Sequence, residues 1–335
     1  MYAWNAFNFK SLKPSSLTRL SFIRKFSSHK SYVEKLNRRA ILKLSGPDTT
    51  NYLQSMITND INKIAELPSL YSLLLNPKGR VLYDSILYKM SAEEYLVEYD
   101  CTGVEYMQKH LVMYRLRKNV KIHPNTDVIA WVIYPERNDE TVLSDLSNII
   151  LELTKCDGVV AAVEDPRTKL LGFRILTKKD IDFPKLLSEK FNIIEGNKYT
   201  QLRYSLGIGE GVTDHPPGNC LPFETNVDYL NGVSFSKGCY IGQELIARSQ
   251  FVLNVRKRLL PVTLPLQSSY PVFPPECTIL NEKQEKIGRL RSCYEQYGLA
   301  LLKSDECFKS QYLLLKGFDM KLKCSKPTWW PASNE

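Results

Sequence analysis

The residues whose type and spacing could do chemistry lie in one stretch, Gly232-Val233-Ser234-Phe235-Ser236-Lys237-Gly238-Cys239-Tyr240-Ile241-Gly242-Gln243-Glu244, continuing Leu245-Ile246-Ala247-Arg248. A single cysteine stands between two glycines. Gly238 and Gly242 are expected to permit a tight backbone path that brings the thiol to a surface, and Gln243 onward reads as the start of a helix. A thiol ahead of a helix N-terminus ionises more easily, and Lys237 adds a positive charge that favours the thiolate, the form that ligates metal or attacks an electrophile. The other seven cysteines, Cys101, Cys156, Cys220, Cys277, Cys293, Cys307 and Cys324, contain no Cys-x-x-Cys, and the closest pair is fourteen positions apart. That spacing excludes a self-contained zinc site and a thioredoxin-like pair. Most of them, Cys101 and Cys293 among them, are expected to be small buried apolar residues.

Other polar residues carry weaker signals. Asp60 and Asp84 read as a helix cap and a hairpin closure, and Glu210 as a solvated loop acid. His215 and Cys220 flank a Pro-Pro-Gly turn, where a loop histidine is the plain reading. Arg248 and the run Arg256-Lys257-Arg258 read as a solvated face. Gly207-x-Gly209-x-Gly211 lacks dinucleotide-loop spacing, and there is no Walker sequence.

The elements that must position these groups alternate strand and helix. Ala40–Leu44 is an apolar run, and Ser45-Gly46-Pro47-Asp48 supplies a turn before a helix near Thr49, in which Tyr52, Leu53, Met56 and Ile57 recur at three- and four-residue spacing. Thr58-Asn59-Asp60 ends it. Asn76-Pro77-Lys78-Gly79 joins two strands, Leu70–Leu75 and Arg80–Met90. Ser91–Tyr99 continues as strand, Val104–Tyr114 is helical, and Leu116–Ile122 and Val128–Tyr134 return to strand. Helices are expected at Leu143–Leu153 and Phe183–Lys190, with strands near Val159 and over Gly172–Leu176. Strands in adjacent groups favour an α+β class over a doubly wound sheet. From about Leu259 short strands at Thr278–Leu280, Gly288–Cys293 and Leu299–Leu302, among prolines, predict a separate small β domain.

Composition bounds the function. A hydrophobic share of 43% and a charged share of 24% fit an ordinary globular protein, with no apolar run long enough to span a bilayer. The formal charge of +9 is concentrated at the start, where residues 1–33 hold Lys10, Lys13, Arg19, Arg24, Lys25 and Lys30 and no acid. Without those six, 39 basic residues face 36 acidic ones, too even a balance for a nucleic-acid footprint. The opening is rich in Ser, Phe and Leu, as in a mitochondrial transit peptide. Arg24-Lys25-Phe26-Ser27 resembles a matrix-peptidase cleavage pattern, so the mature chain is expected to begin near Ser27 in the mitochondrial matrix.

The Cys239 segment resembles, almost letter for letter, the signature of the YgfZ-like family, which is related to the folate-binding T-protein (GcvT) of the glycine cleavage system. Supporting stretches are Leu44-Ser45-Gly46-x-Asp48, Thr58-Asn59-Asp60, Asn76-Pro77-Lys78-Gly79-Arg80-Val81-Leu82-Tyr83-Asp84, Leu206-Gly207-Ile208, Leu221-Pro222-x-Glu224 and Arg256-Lys257-Arg258-Leu259, so the likeness covers residues 36–303. It implies intertwined α+β domains around a central opening followed by a C-terminal β barrel, divided as a leader over 1–30, a GcvT/YgfZ-like region over 31–255 and a barrel over 256–335. It further implies a late iron–sulfur assembly role in mitochondria, beside A-type scaffold proteins and for [4Fe-4S] client enzymes, with no substrate turned over. Cys239, with Lys237 beside it, matches the signature thiol and would lend one thiolate to a transient cluster shared with a partner, since one cysteine cannot hold a cluster alone. A folate-sized pocket is implied too, with Asp60, Arg203, Tyr240, Gln243 and Glu244 as candidate cofactor residues. The rival reading is a tetrahydrofolate-dependent one-carbon transferase. Relatives place a glutamate where this chain has Ser205, and a hydroxyl is no charged two-point acceptor for a pterin edge, so tetrahydrofolate binding is expected to be weak.

Overall fold

The computed structural model describes residues 31–136, 140–187, 191–251 and 255–331; the expected leader over 1–30 lies outside the described residues. The strands and main helices run β1 (Ser31–Lys35), β2 (Arg39–Ser45), α1 (Thr49–Met56), β3 (Leu70–Leu75), β4 (Val81–Lys89), β5 (Glu94–Asp100), α2 (Val104–Arg115), β6 (Lys121–Pro124), β7 (Val128–Pro135), α3 (Glu140–Leu153), β8 (Val159–Glu164), β9 (Phe173–Lys178), β10 (Phe191–Ile194), α4 (Lys198–Leu206) and α5 (Gln243–Phe251). The barrel strands are β11 (Lys257–Thr263), β12 (Thr278–Leu280), β13 (Lys286–Tyr294), β14 (Tyr297–Lys303), β15 (Leu313–Leu315) and β16 (Lys321–Cys324).

Two five-stranded sheets form the α+β part. The first has the order β3-β4-β5-β2-β6 and the second β10-β1-β7-β9-β8; β11 to β16 close a barrel in the order β11-β14-β13-β12-β15-β16. The period-two alternation of side chains along a strand decides the layering. Leu73, Leu75, Ile86, Tyr88 and Leu96 of the first sheet meet Val132, Tyr134 and Leu176 of the second. Their sequence neighbours Leu74, Leu87 and Val97, and Tyr99 two residues after Val97, turn the other way, onto Tyr52, Leu53 and Met56 of α1 and Met107 and Leu111 of α2. Trp131, Ile133 and Ile175 turn onto Leu146, Ile149 and Ile150 of α3. The order of layers is therefore helix, sheet, sheet, helix. The sheets are also interwoven by the chain, because β1 pairs with β7 and, in parallel, with β10, whereas β2, four residues later, pairs with β5 and β6 of the other sheet. Among the described residues no helix is long and apolar enough to cross a membrane.

Local expectations fare unevenly. The 70–90 hairpin, the helices at Thr49 and Val104 and the three barrel strands form near the expected bounds. Residues 116–120 are not strand: Leu116 leaves α2 at φ 51° and β6 begins only at Lys121. The helix at Phe183 stops at Leu186. Asp84 closes no hairpin. It lies mid-strand, buried, taking the Gly211 N–H at 2.8 Å and standing 3.4 Å from Arg39.

That aspartate belongs to a buried charge network between the sheets. Arg174 on β9 is fully buried and reaches Glu98 on β5 at 2.7 Å, Asp165 at 3.0 Å and Glu210. Arg167 meets Asp165 at 2.7 Å and Glu210 at 2.9 Å, and Arg39 meets Glu98 at 2.9 Å. Buried charges are tolerated only when paired, and removing one partner strands the others. Arg174→Met is therefore expected to cost about 3–5 kcal/mol in urea unfolding by leaving Glu98 and Glu210 short of a cation; an unchanged midpoint would show that the network is not needed.

Candidate functional site

The Cys239 loop is held in a socket built from the other sequence motifs. Thr58 donates its hydroxyl to the Gly232 carbonyl at 2.7 Å, the Ser234 N–H returns to the Thr58 carbonyl at 3.1 Å, and Asn59 donates to the Asn231 carbonyl at 2.7 Å. The Ile241 N–H reaches the Ser55 carbonyl. Gly242, at φ +79°, lies against the Asn76–Gly79 turn so closely that a Cβ there would stand 2.6 Å from the Asn76 oxygen. Gly238 has no such need: a Cβ on it would meet nothing, so only one of the two flanking glycines is required by packing.

Lys237 is a structural pin. Its ammonium donates to the carbonyls of Gln54, Ile57 and Asn59 at 2.7, 2.8 and 2.7 Å, satisfying acceptors left open where α1 ends, and it lies 4.7 Å from the Tyr240 ring centroid. Burial pushes its pKa down to about 7, opposed by Asp60. The three carbonyls favour the charged form, because only an ammonium has three N–H groups to give. Gln243 closes a turn by accepting the Tyr240 N–H at 3.0 Å, and Glu244 is exposed in the first turn of α5. Asp60 is a cap: it accepts the Asn62 N–H at 3.1 Å and a Gln54 amide N–H at 2.9 Å. What remains outward is the Cys239 thiol, with Phe235 also exposed and stacked on Phe223 at 6.2 Å. Cys101 is exposed as well, and only Cys220, Cys277 and Cys307 are buried, so the expectation of mostly buried cysteines, Cys101 included, is corrected.

A second feature is a cavity of about 1050 Å³ where the α+β part meets the barrel, walled by Glu34, Arg39, Arg203, Glu210 and Asp214 on one side and by the 270–276 segment with Arg289 and Arg291 on the other. The five candidate cofactor residues do not share it. Arg203 lines the cavity, while Asp60, Tyr240, Gln243 and Glu244 stay with the Cys239 loop. Glu210 is not a solvated loop acid. Burial alone would raise its pKa, but Arg174, Arg167, Arg39 and Arg203 hold it well below the usual carboxylate range. Asp214 accepts from Arg203 at 2.9 Å, Tyr204 at 2.8 Å and Ser292 at 2.7 Å. Ser205 points away, donating to the Leu202 carbonyl. His215 is buried, with its pKa lowered by burial, and the buried Cys220 thiol is pushed up to about 11 by the same cause. Arg258 is not on a solvated face; it grips Asp228 at 2.7 and 2.8 Å and lies 4.0 Å from the Tyr229 ring centroid.

Two of the acids that line the cavity, Glu210 and Asp214, are paired with arginines. Glu34 is the acid sequence reasoning missed. No sequence signal marked it, because its strand β1 has no apolar run. Burial raises its pKa to about 7 against the Tyr199 N–H, at 2.9 Å, and Arg203.

Residues 36–133 match the model of the GCVT N-terminal domain and residues 256–332 that of the CAF17 C-terminal beta-barrel domain. The glycine cleavage system aminomethyltransferase T from Bartonella henselae has a similar fold, with a TM-score of 0.68 at 14% identity over 94% of this chain and 90% of that one. A T-protein-like α+β body carrying a CAF17-type barrel is thus the class of protein that fold and motifs define. The human mitochondrial iron–sulfur cluster assembly factor IBA57 is 33% identical over 323 residues, and the mouse protein of that name 35% over 317, each covering 89% of this chain and 85% of the relative. The chain belongs to the IBA57 family.

Because the folded pKa of Glu34 lies above its unfolded value of 4.5, the folded state binds more protons between the two, and stability should fall as pH rises from about 4.5 through about 7. Glu34→Gln, which stays neutral, should flatten that fall in thermal melts taken across the range; an equal slope in wild type and variant would clear Glu34 of the effect.

Proposed function

We propose that this chain is a mitochondrial iron–sulfur cluster assembly factor in which Cys239 lends one thiolate to a cluster whose remaining ligands come from a partner. The observation that carries the reading is the exposed Cys239 thiol on a loop that Lys237, Gln243 and the 231–234 backbone tie to the rest of the fold. A loop held in place loses little freedom when the sulfur binds. In this reading a single cysteine shares the cluster and hands it over, since one thiolate cannot hold a cluster alone. The partner of this reading is an A-type scaffold protein, the stage is late [4Fe-4S] maturation, and the place is the matrix, in keeping with the acid-free start of the chain.

A one-carbon transferase is the second reading, favoured by the T-protein-like fold and the central cavity. The ion-paired state of Glu210 counts against it. Calorimetry with tetrahydrofolate should give weak binding; saturation in the low micromolar range, about −8 kcal/mol, would revive it.

The main test is anaerobic mixing of the full chain with an A-type scaffold protein, iron and sulfide, followed by visible absorption. Cys239→Ser should abolish the shared-cluster bands while changing stability by no more than about 0.5 kcal/mol. Normal bands from that variant would overturn the thiolate role.

A further inference from the structure

Helix α2 is apolar on two faces, and the fold uses one. Met107 and Leu111 are buried among α1 and the first sheet. On the other side Tyr106, Val112 and Met113, with Leu116 just past the helix end, are 72, 43, 61 and 81% exposed. At 100° per residue these four side chains share one face with Lys109. A lone exposed leucine needs no explanation, but a contiguous set on one helix marks a contact surface.

Leu116 adds an independent sign. Its backbone stands at φ 51° and ψ −122°, a region where a side chain causes strain and which glycine fills readily. Strain that presents a leucine to solvent gives the fold nothing, so the side chain has its use outside the fold.

The rim fixes the chemistry of the occupant. Lys109, Arg117 and Lys121 are exposed, Lys118 is half-buried, and among the described residues none of them pairs with a carboxylate; Glu105 is the acid on the α2 face. An apolar helix face with Lys109 on it and Arg117, Lys118 and Lys121 within five residues of Leu116 complements a protein face that is apolar and bears carboxylates.

Placement narrows it further. Asp48, at the N-terminal end of α1, accepts the Asn119 N–H at 2.7 Å just beyond Leu116, and Lys237 binds the carbonyls at the other end. An eight-residue helix is about 12 Å long, so patch and thiol loop are mounted on the two ends of one short element. A specific protein contact covers roughly 800 Å² on each side, more than a thiol loop offers and enough to reach both. We propose that the outer face of α2 with Leu116 docks the cluster-carrying protein through an acidic, apolar surface, an inference that rests on the Cys239 reading above.

The test measures the affinity of the full chain for the A-type scaffold protein by calorimetry. Leu116→Gly should weaken it at least about tenfold while leaving the Tm unchanged or higher, since glycine relieves the backbone. Met113→Lys, with normal folding, should weaken it as well. Unchanged affinity in both variants, with Cys239→Ser still losing the cluster bands, overturns the docking surface and leaves the thiolate role standing. Failure of the wild-type chain to bind the scaffold at all overturns both. If Leu116→Gly instead loses binding to phosphatidylcholine–cardiolipin vesicles while scaffold affinity is kept, the occupant is a membrane and the proposal falls.

Discussion

The architecture depends on a constraint of electrostatics: Arg174 is buried between two sheets, and three carboxylates from different parts of the chain must come to it. Glu98 arrives on β5, Asp165 follows β8, and Glu210 comes from the segment after α4. Apolar packing alone would let the sheets slide, whereas directional pairs in a dry layer set their relative position. The same pairing decides the character of the cavity. An acid that neutralises arginines of the core has little charge left for a ligand, so Glu210 serves the body of the fold although it lines the cavity.

At the Cys239 loop the division of labour differs. Three motifs far apart in sequence, at 58–60, 76–79 and 232–243, converge to make one rigid support, and the cysteine contributes nothing to it. Lys237 shows how a residue adjacent to a reactive group can be read too chemically. It stands two positions from the thiol, yet its N–H groups are given to the end of α1.

Much of the fold was legible because its cause is local. The Asn76-Pro77-Lys78-Gly79 turn and the periodic apolar positions of α1 and α2 are short-range signals, and so is the signature around Cys239. The misreadings share another cause. Asp84 was read as a turn closure and Glu210 and Arg258 as surface charges because their main partners are remote: Gly211 lies 127 residues from Asp84, Arg174 36 from Glu210 and Asp228 30 from Arg258. Strand β1 was missed for the same reason: its five residues follow the basic opening and have no apolar run, and they are strand only because β7 and β10 flank them. Cys101 was placed inside by the habits of its residue type and lies outside.

The position of β1 bears on the order of assembly. It is the first described element, yet its neighbours are completed only by residues 128–135 and 191–194. A chain delivered N-terminus first, from a ribosome or through a pore, must carry β1 unpaired until β7 follows about 100 residues later, and with one edge open until β10 arrives some 160 residues on. The first sheet can close early from contacts within 39–124, but the second is a late event of high contact order. Until then its strand edges and the arginines between the sheets stand open to water and to other chains, which makes the interval before residue 194 emerges the period in which this protein has most need of a chaperone.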